Sequence, residues 1–229
     1  MCLVCKYIPY QNQIKFFQSA APKKFLTSKN KEVQNGVMAG KVNFNVIQNY
    51  KEISLGLRLF FSIFCVAQRA YEKNGETLKV LDLKQKEYSE VFDVTRQTVS
   101  KHLDNMQLSN IIKRFNDGKI TVNSLFFDGS NINLSEIKNF KTLNTDLKLI
   151  FIILLCARPN GKVGLDKKEL LNYLKISWIC AKSYLKELVQ ANVIKCKYTG
   201  EIVVNPEFYY VGEELDVVLK EYKNFKSDL

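Results

Sequence analysis

Seven hydrogen-bonding side chains fall within the eight residues TRQTVSKH: Thr95, Arg96, Gln97, Thr98, Ser100, Lys101 and His102. Arginine and glutamine make bidentate hydrogen bonds to guanine and adenine edges, and hydroxyl and ammonium groups add single donors. Thr95, Arg96, Gln97, Thr98, Ser100 and Lys101 are therefore the candidate base-reading set, with His102 at its edge. The competing reading of the same residues is an ordinary polar helix face. Just downstream, Lys113, Arg114 and Lys119 supply cations that suit phosphate contacts, which add affinity and salt dependence but carry no sequence information.

Other chemistry is poorly supplied. One histidine cannot build a His-rich metal site, a nuclease resting on paired histidine ligands, or repeated acid–base steps. The chain has no Gly-rich phosphate loop ending in Gly-Lys-Ser/Thr, no nucleophile elbow and no clustered carboxylate–histidine site, so no enzyme and no cofactor is expected. Cys2 and Cys5 have the spacing of a zinc-ligand pair, but no second pair accompanies them and no metal site is expected. The six cysteines show no disulfide framework, and Cys65 and Cys156 sit inside apolar runs, where a thiol behaves as a small core residue.

The 229 residues carry 34 Lys+Arg against 23 Asp+Glu, a formal net charge of +11, with 46% hydrophobic residues. Such a chain is too apolar for a disordered basic tail, and its charge points to nucleic acid first and an anionic membrane surface second. The apolar runs at 55–67 and 147–157 are shorter than the roughly 20 residues that cross a bilayer, and the N-terminus lacks the features of a secretory signal. A cytoplasmic protein without membrane attachment is the expectation. Residues 1–45 hold seven lysines and one glutamate, so more than half of the excess charge lies on an arm that reads as flexible or loosely docked.

Sliding the chain against itself by 82 residues aligns 84–127 with 166–209 without a gap, and 11 of the 44 positions are identical. One unit therefore occurs twice. Each copy opens with an apolar helix, Ser54 to Tyr71 or Thr145 to Ala157. A second helix follows near Lys84–Phe92 or Asp166–Leu174, and Thr95 or Ser177 then caps a third. In that third helix Val99, Leu103 and Met106, or Ala181, Leu185 and Leu188, recur at spacings of four and three and point inward together. Two β-prone runs joined by Asp117-Gly118 or Thr199-Gly200 complete each copy as a hairpin. The expected fold is mainly α with small β-hairpins (α+β), as two tandem winged helix-turn-helix domains. The expected boundaries are a basic arm at 1–41, domains at 42–131 and 132–212, and an amphipathic helix at 213–229, which caps the second domain or pairs in a dimer.

The copies differ where contacts to bases are expected. Trp178 and Ile179 stand in place of Arg96 and Gln97, which makes the second face poorer in donors. These two can meet thymine methyls, pack on the neighbouring domain or form a dimer surface, and an interaction surface leads. Lys182, Lys195 and Lys197 remain candidates for backbone phosphates.

The run ANVIKCKYTGEIVVNPEFYYVGEELDVVLKEYKNF is similar to the end of the winged-helix domain of plasmid replication initiators of the RepL type, with Val204-Asn205-Pro206-Glu207 and Gly212 as its most specific part. SNIIKRFNDGKITVNSLFFDG repeats a degenerate form, and KVNFNVIQNYKEISLGLRLFF resembles the opening strand and first helix. The pattern spans roughly 41–225, although those initiators carry one such domain where this chain carries two. The resemblance implies binding of double-stranded origin DNA and recruitment of host replication proteins, without catalysis. A transcriptional regulator with the same domains, and a protein-interaction module, are the alternatives.

Overall fold

The computed structural model describes residues 7–8, 37–38, 41–74, 85–127, 129, 131–212 and 214–229. Most of the basic arm, together with Cys2 and Cys5, lies outside them. The fold is α+β: helices predominate, and the strands form small antiparallel two-stranded sheets. Tyr7–Ile8 (β1) pairs with Val37–Met38 (β2), and Lys41–Val42 (β3) follows. Two short 3-10 turns, Phe44–Val46 and Tyr50–Glu52, lead into helix α1, Leu55–Asn74.

The first repeat continues with α2 (Gln85–Val91), α3 (Arg96–Leu108) and a hairpin of β4 (Ile112–Arg114) and β5 (Ile120–Val122). The second contains α4 (Thr145–Leu155), α5 (Lys167–Leu174), α6 (Trp178–Gln190) and a hairpin of β6 (Ile194–Cys196) and β7 (Ile202–Val204). Both third helices and both hairpins keep the 82-residue offset at each end. The Thr95 hydroxyl accepts from the Thr98 N–H, and Ser177 accepts from Cys180 N–H in the same way. Asn110 and Asn192 leave these helices at φ 61° and 59°, a left-handed conformation that asparagine tolerates. Asn123 then donates to the Asn110 carbonyl and Asn205 to the Asn192 carbonyl, each at 2.7 Å, which clips the returning strand to the end of the helix. The Asn of the Val204-Asn205-Pro206 motif is thus a buried structural clip.

A second correspondence, offset by 90 residues, precedes the first. The 3-10 turns at Phe44–Val46 and Tyr50–Glu52 match those at Leu134–Glu136 and Phe140–Thr142, and α1 and α4 start at 55 and 145. Each lead segment closes a body, in matching pairs of hydrogen bonds. Asn133 N–H donates to Phe126 and Lys138 N–H to Ser109 in the first body, while Asn43 N–H donates to Phe208 and Gln48 N–H to Ala191 in the second. The side chains of Asn139 and Asn49 reach the carbonyls of Leu108 and Gln190. Phe127 bridges Ile132, and at the equivalent positions Tyr209 of β8 (Tyr209–Tyr210) pairs with Val42 of β3.

The segment that closes the second body therefore comes from the other end of the chain. The compact units reflect this: Val66–Asn144 belong to one, whereas residues 41–65 join Thr145–Leu229 in the other, so the division falls inside α1. Boundaries at 42–131 and 132–212, drawn from linear order, place residues 42–65 with the first repeat.

Within the second unit Phe44 is fully buried and faces Phe60, Phe61, Phe64 and Phe208 at centroid distances of 5.5–6.2 Å, and Phe60 meets Phe151 edge-on at 5.3 Å. This aromatic cluster is the centre of that core. The last helix, α7, spans Leu215–Asn224, shorter than the 213–229 amphipathic segment; it buries Val218 and Tyr222, and Val218 touches Gly161 of the same unit. The residues beyond it run beside β6, where Ser227 Oγ donates to Cys196 O and Asp228 N–H donates to the same carbonyl. Helix and tail thus cap the second unit.

Candidate nucleic-acid interface

In the first repeat, packing of α3 fixes which side chains face out. Val99, Leu103 and Met106 are fully buried, which leaves Arg96, Gln97 and Lys101 exposed. No polar partner engages these three side chains among the described residues. Thr95 and Thr98 occupy each other, hydroxyl to hydroxyl at 2.8 Å, so the cap uses part of their hydrogen-bonding capacity. Ser100 is half-buried and accepts from Arg114 Nη2 at 3.3 Å. His102 Nδ1 lies 2.7 Å from Asn144 Nδ2, inside a polar cluster that includes Asn105.

The three hairpin cations differ in availability. Arg114 is committed inward: its guanidinium pairs with Asp104 and donates to Gln85 Oε1 at 3.0 Å as well as to Ser100. Gln85 in turn donates from Nε2 to the Arg96 carbonyl at 2.7 Å. Arg114 is thus a brace that ties β4, α2 and α3 together. Lys113 is exposed with its ammonium 5.3 Å from the Phe115 ring centroid, and Lys119 pairs at 3.5 Å with Asp117 across the turn. The Lys119 N–H beside Asp117 holds that carboxyl below the usual range, so Asp117 stays ionised and offsets part of the cation's charge. At the tip Gly118 has φ +84°, and a Cβ there would meet nothing within 4 Å among the described residues.

The second repeat places its residues differently. Trp178 is folded back on its own unit: Lys167 Nζ lies 3.8 Å from its ring centroid, Tyr198 meets it edge-on at 6.2 Å, and its indole N–H is buried without a hydrogen-bond partner among the described residues. Ile179 projects outward, 82% exposed. Lys182 Nζ sits 5.0 Å from the Tyr198 ring, while Lys195 donates to the Tyr222 carbonyl at 2.7 Å and Lys197 pairs with Glu201 at the same distance. Burial lowers the Lys195 pKa. Lys195 and Lys197 therefore secure α7 and the hairpin, and Lys182 makes a ring contact without a hydrogen bond or ion pair among the described residues. Gly200, at φ +93°, has no room for a side chain, because a Cβ would come 2.6 Å from Lys167 Cβ. The second hairpin tip is docked where the first stands open.

Two residues outside the expected set shape these faces. Lys167 and Gln85 are equivalent by the 82-residue offset, and each supports the start of the following helix, one through an aromatic ring and one through a hydrogen bond. Neither belongs to a recognisable motif; the repeat alignment is the signal that pairs them.

Among the described residues no three His, Cys, Asp or Glu side chains are grouped to hold a metal ion, and no helix is long and apolar enough to cross a membrane. Burial pushes the Cys156 and Cys196 thiols up to about 12, which keeps both protonated near neutral pH. Comparison with protein-family models, curated proteins and solved structures finds no match to this chain.

Proposed function

We propose that this protein binds double-stranded DNA sequence-specifically through two winged helix-turn-helix repeats, the first of which reads bases, and that it initiates replication of a plasmid or similar mobile element. The observation that carries the DNA reading is the exposed Arg96–Gln97–Lys101 face of α3, without polar partners among the described residues and beside an open hairpin bearing Lys113 and Lys119. A helix of this kind enters the major groove with its N-terminal residues on base edges, and the hairpin follows the phosphates. The net charge of +11 supports the same partner. The initiator role rests on the resemblance to RepL-type proteins and includes contact with host replication proteins.

Selection from random duplexes at ~150 mM salt tests this, because nonspecific phosphate binding is weak there. One defined motif should emerge, and Arg96→Ala or Gln97→Ala should lose about 1–3 kcal/mol against it while relaxing one or two base positions. Lys113→Ala should weaken all duplexes alike. Equal losses from all three on random DNA would refute the assignment of readers. A motif that recurs in iterated repeats beside an AT-rich stretch supports initiation, whereas a single copy at a promoter supports a transcriptional regulator.

A further inference from the structure

We infer that the second repeat also reads sequence, through Ile179, and that the chemical group it recognises is the 5-methyl of thymine in duplex DNA. This rests on the DNA-binding reading above and extends it to the repeat that lacks donors. Ile179 is equivalent to Gln97, one residue into a helix whose Ser177 cap matches Thr95. A single exposed apolar side chain is ordinary on a protein surface. Ile179 differs from that case in its position and its surroundings.

Trp178, the other large apolar residue here, is withdrawn under Lys167 and against Tyr198, so Ile179 is the apolar group left projecting from this end of α6. The cations at this end of the unit suit an anionic partner: Lys167 lies over Trp178, the residue before Ile179, Lys182 is one helical turn on from Ile179, and both ammonium groups stand 5.0 Å from the Tyr198 ring. An uncharged apolar partner would leave these two ammonium groups without a counter-charge. Duplex DNA presents the required pair of features, phosphates outside and, in the major groove, one apolar group, the thymine methyl. Threonine-rich or arginine-bearing faces read through hydrogen bonds, whereas a branched aliphatic side chain reads by excluding water from a methyl. The two repeats would then read two kinds of half-site, one by polar complementarity and one rich in thymine.

The test compares the full chain and Ile179→Ser on an alternating d(AT) duplex and on the same duplex with deoxyuridine replacing thymidine, which removes only the methyls. Titrations at ~100 mM salt give the affinities. The wild-type chain should prefer the thymidine duplex by about fourfold per contacted methyl, the worth of one buried carbon, and Ile179→Ser should bind both duplexes equally. Ile179 is a surface residue, and unchanged circular dichroism and melting temperature verify the fold of the variant. No thymidine preference in the wild-type chain, or a preference that survives in Ile179→Ser, overturns the assignment to Ile179 while leaving DNA binding intact. Absence of salt-dependent binding to either duplex refutes the DNA-binding reading itself.

Discussion

The two repeats have nearly the same backbone and use their surfaces in opposite ways. Asn110 and Asn192, Asn123 and Asn205, and Asn139 and Asn49 make matching hydrogen bonds, so both bodies are closed by the same set of clips. Outside that skeleton the first repeat leaves Arg96, Gln97 and Lys101 exposed and, among the described residues, its hairpin tip open. The second folds Lys167 over Trp178, lays Lys195 on the last turn of α7, and seats Gly200 on Lys167. The contrast has a physical origin. A buried carbonyl without a partner costs about 1–3 kcal/mol, which retains each clip in both copies, whereas a solvated side chain changes at little cost in stability.

The largest effect comes from the lead segments. Phe44→Ala should cost about 3–5 kcal/mol and Leu134→Ala about 2–5 kcal/mol, since both side chains are buried at equivalent positions. Denaturant titration gives the totals, and hydrogen exchange separates the repeats. Phe44→Ala should lower protection in α6 and the β6–β7 hairpin, far along the chain, while Leu134→Ala lowers it in α3 and β4–β5. Loss of protection in the first repeat from Phe44→Ala would break the pairing of segments with bodies.

A smaller effect tests the clips. Asn205→Ala and Asn123→Ala should each cost about 1–3 kcal/mol, and Asn205→Ala more, because Asn205 is buried and Asn123 half-buried. Each substitution leaves the carbonyl at 192 or 110 unpartnered and also releases the N–H of Glu207 or Leu125. Thermal unfolding of the two variants side by side would show whether the copies rely on the clip to the same degree.

The smallest effect concerns a group that the first repeat lacks, having Asn105 where the second has Glu187. Burial, with the charge of Asp146 adding to it, raises the Glu187 pKa, although its carboxylate accepts from Ser54 N–H at 2.8 Å. A raised carboxyl pKa favours the protonated form in the fold. Its contribution to stability is present below the ordinary glutamate range and is lost as pH rises through the folded-state value. Glu187→Gln should therefore stabilise the protein at neutral pH, by less than about 1 kcal/mol because the side chain is only partly buried, and the gain should vanish near pH 4. Melting temperatures across that range check the sign.

Much of the molecule is legible in local signals. The Thr95 and Ser177 caps, the Val99–Leu103–Met106 and Ala181–Leu185–Leu188 stripes and the Gly118 and Gly200 turns are each set by residues within a few positions, and the structure has them in place. The polar face proposed to read bases is legible to the extent that donors facing away from such a stripe must be exposed, as Arg96, Gln97 and Lys101 are. Ser100 shows the limit of that argument, since Arg114 reaches it from another element.

Residue order by itself thus determined the repeat, its helices and hairpins, the excess of positive charge and the polar character of the first third helix. Tertiary structure alone decided that residues 41–54 close the second body, that Arg114, Lys195 and Lys197 are braces while Lys113 stays outward, and that Trp178 withdraws and leaves Ile179 exposed. The physical reason is range. Caps, turns and amphipathic spacing act between neighbours in the chain, whereas the partner of a long cation or an indole ring is chosen by whatever the fold brings within a few ångströms, and lysines of identical type meet a carbonyl, a carboxylate or open solvent according to that placement.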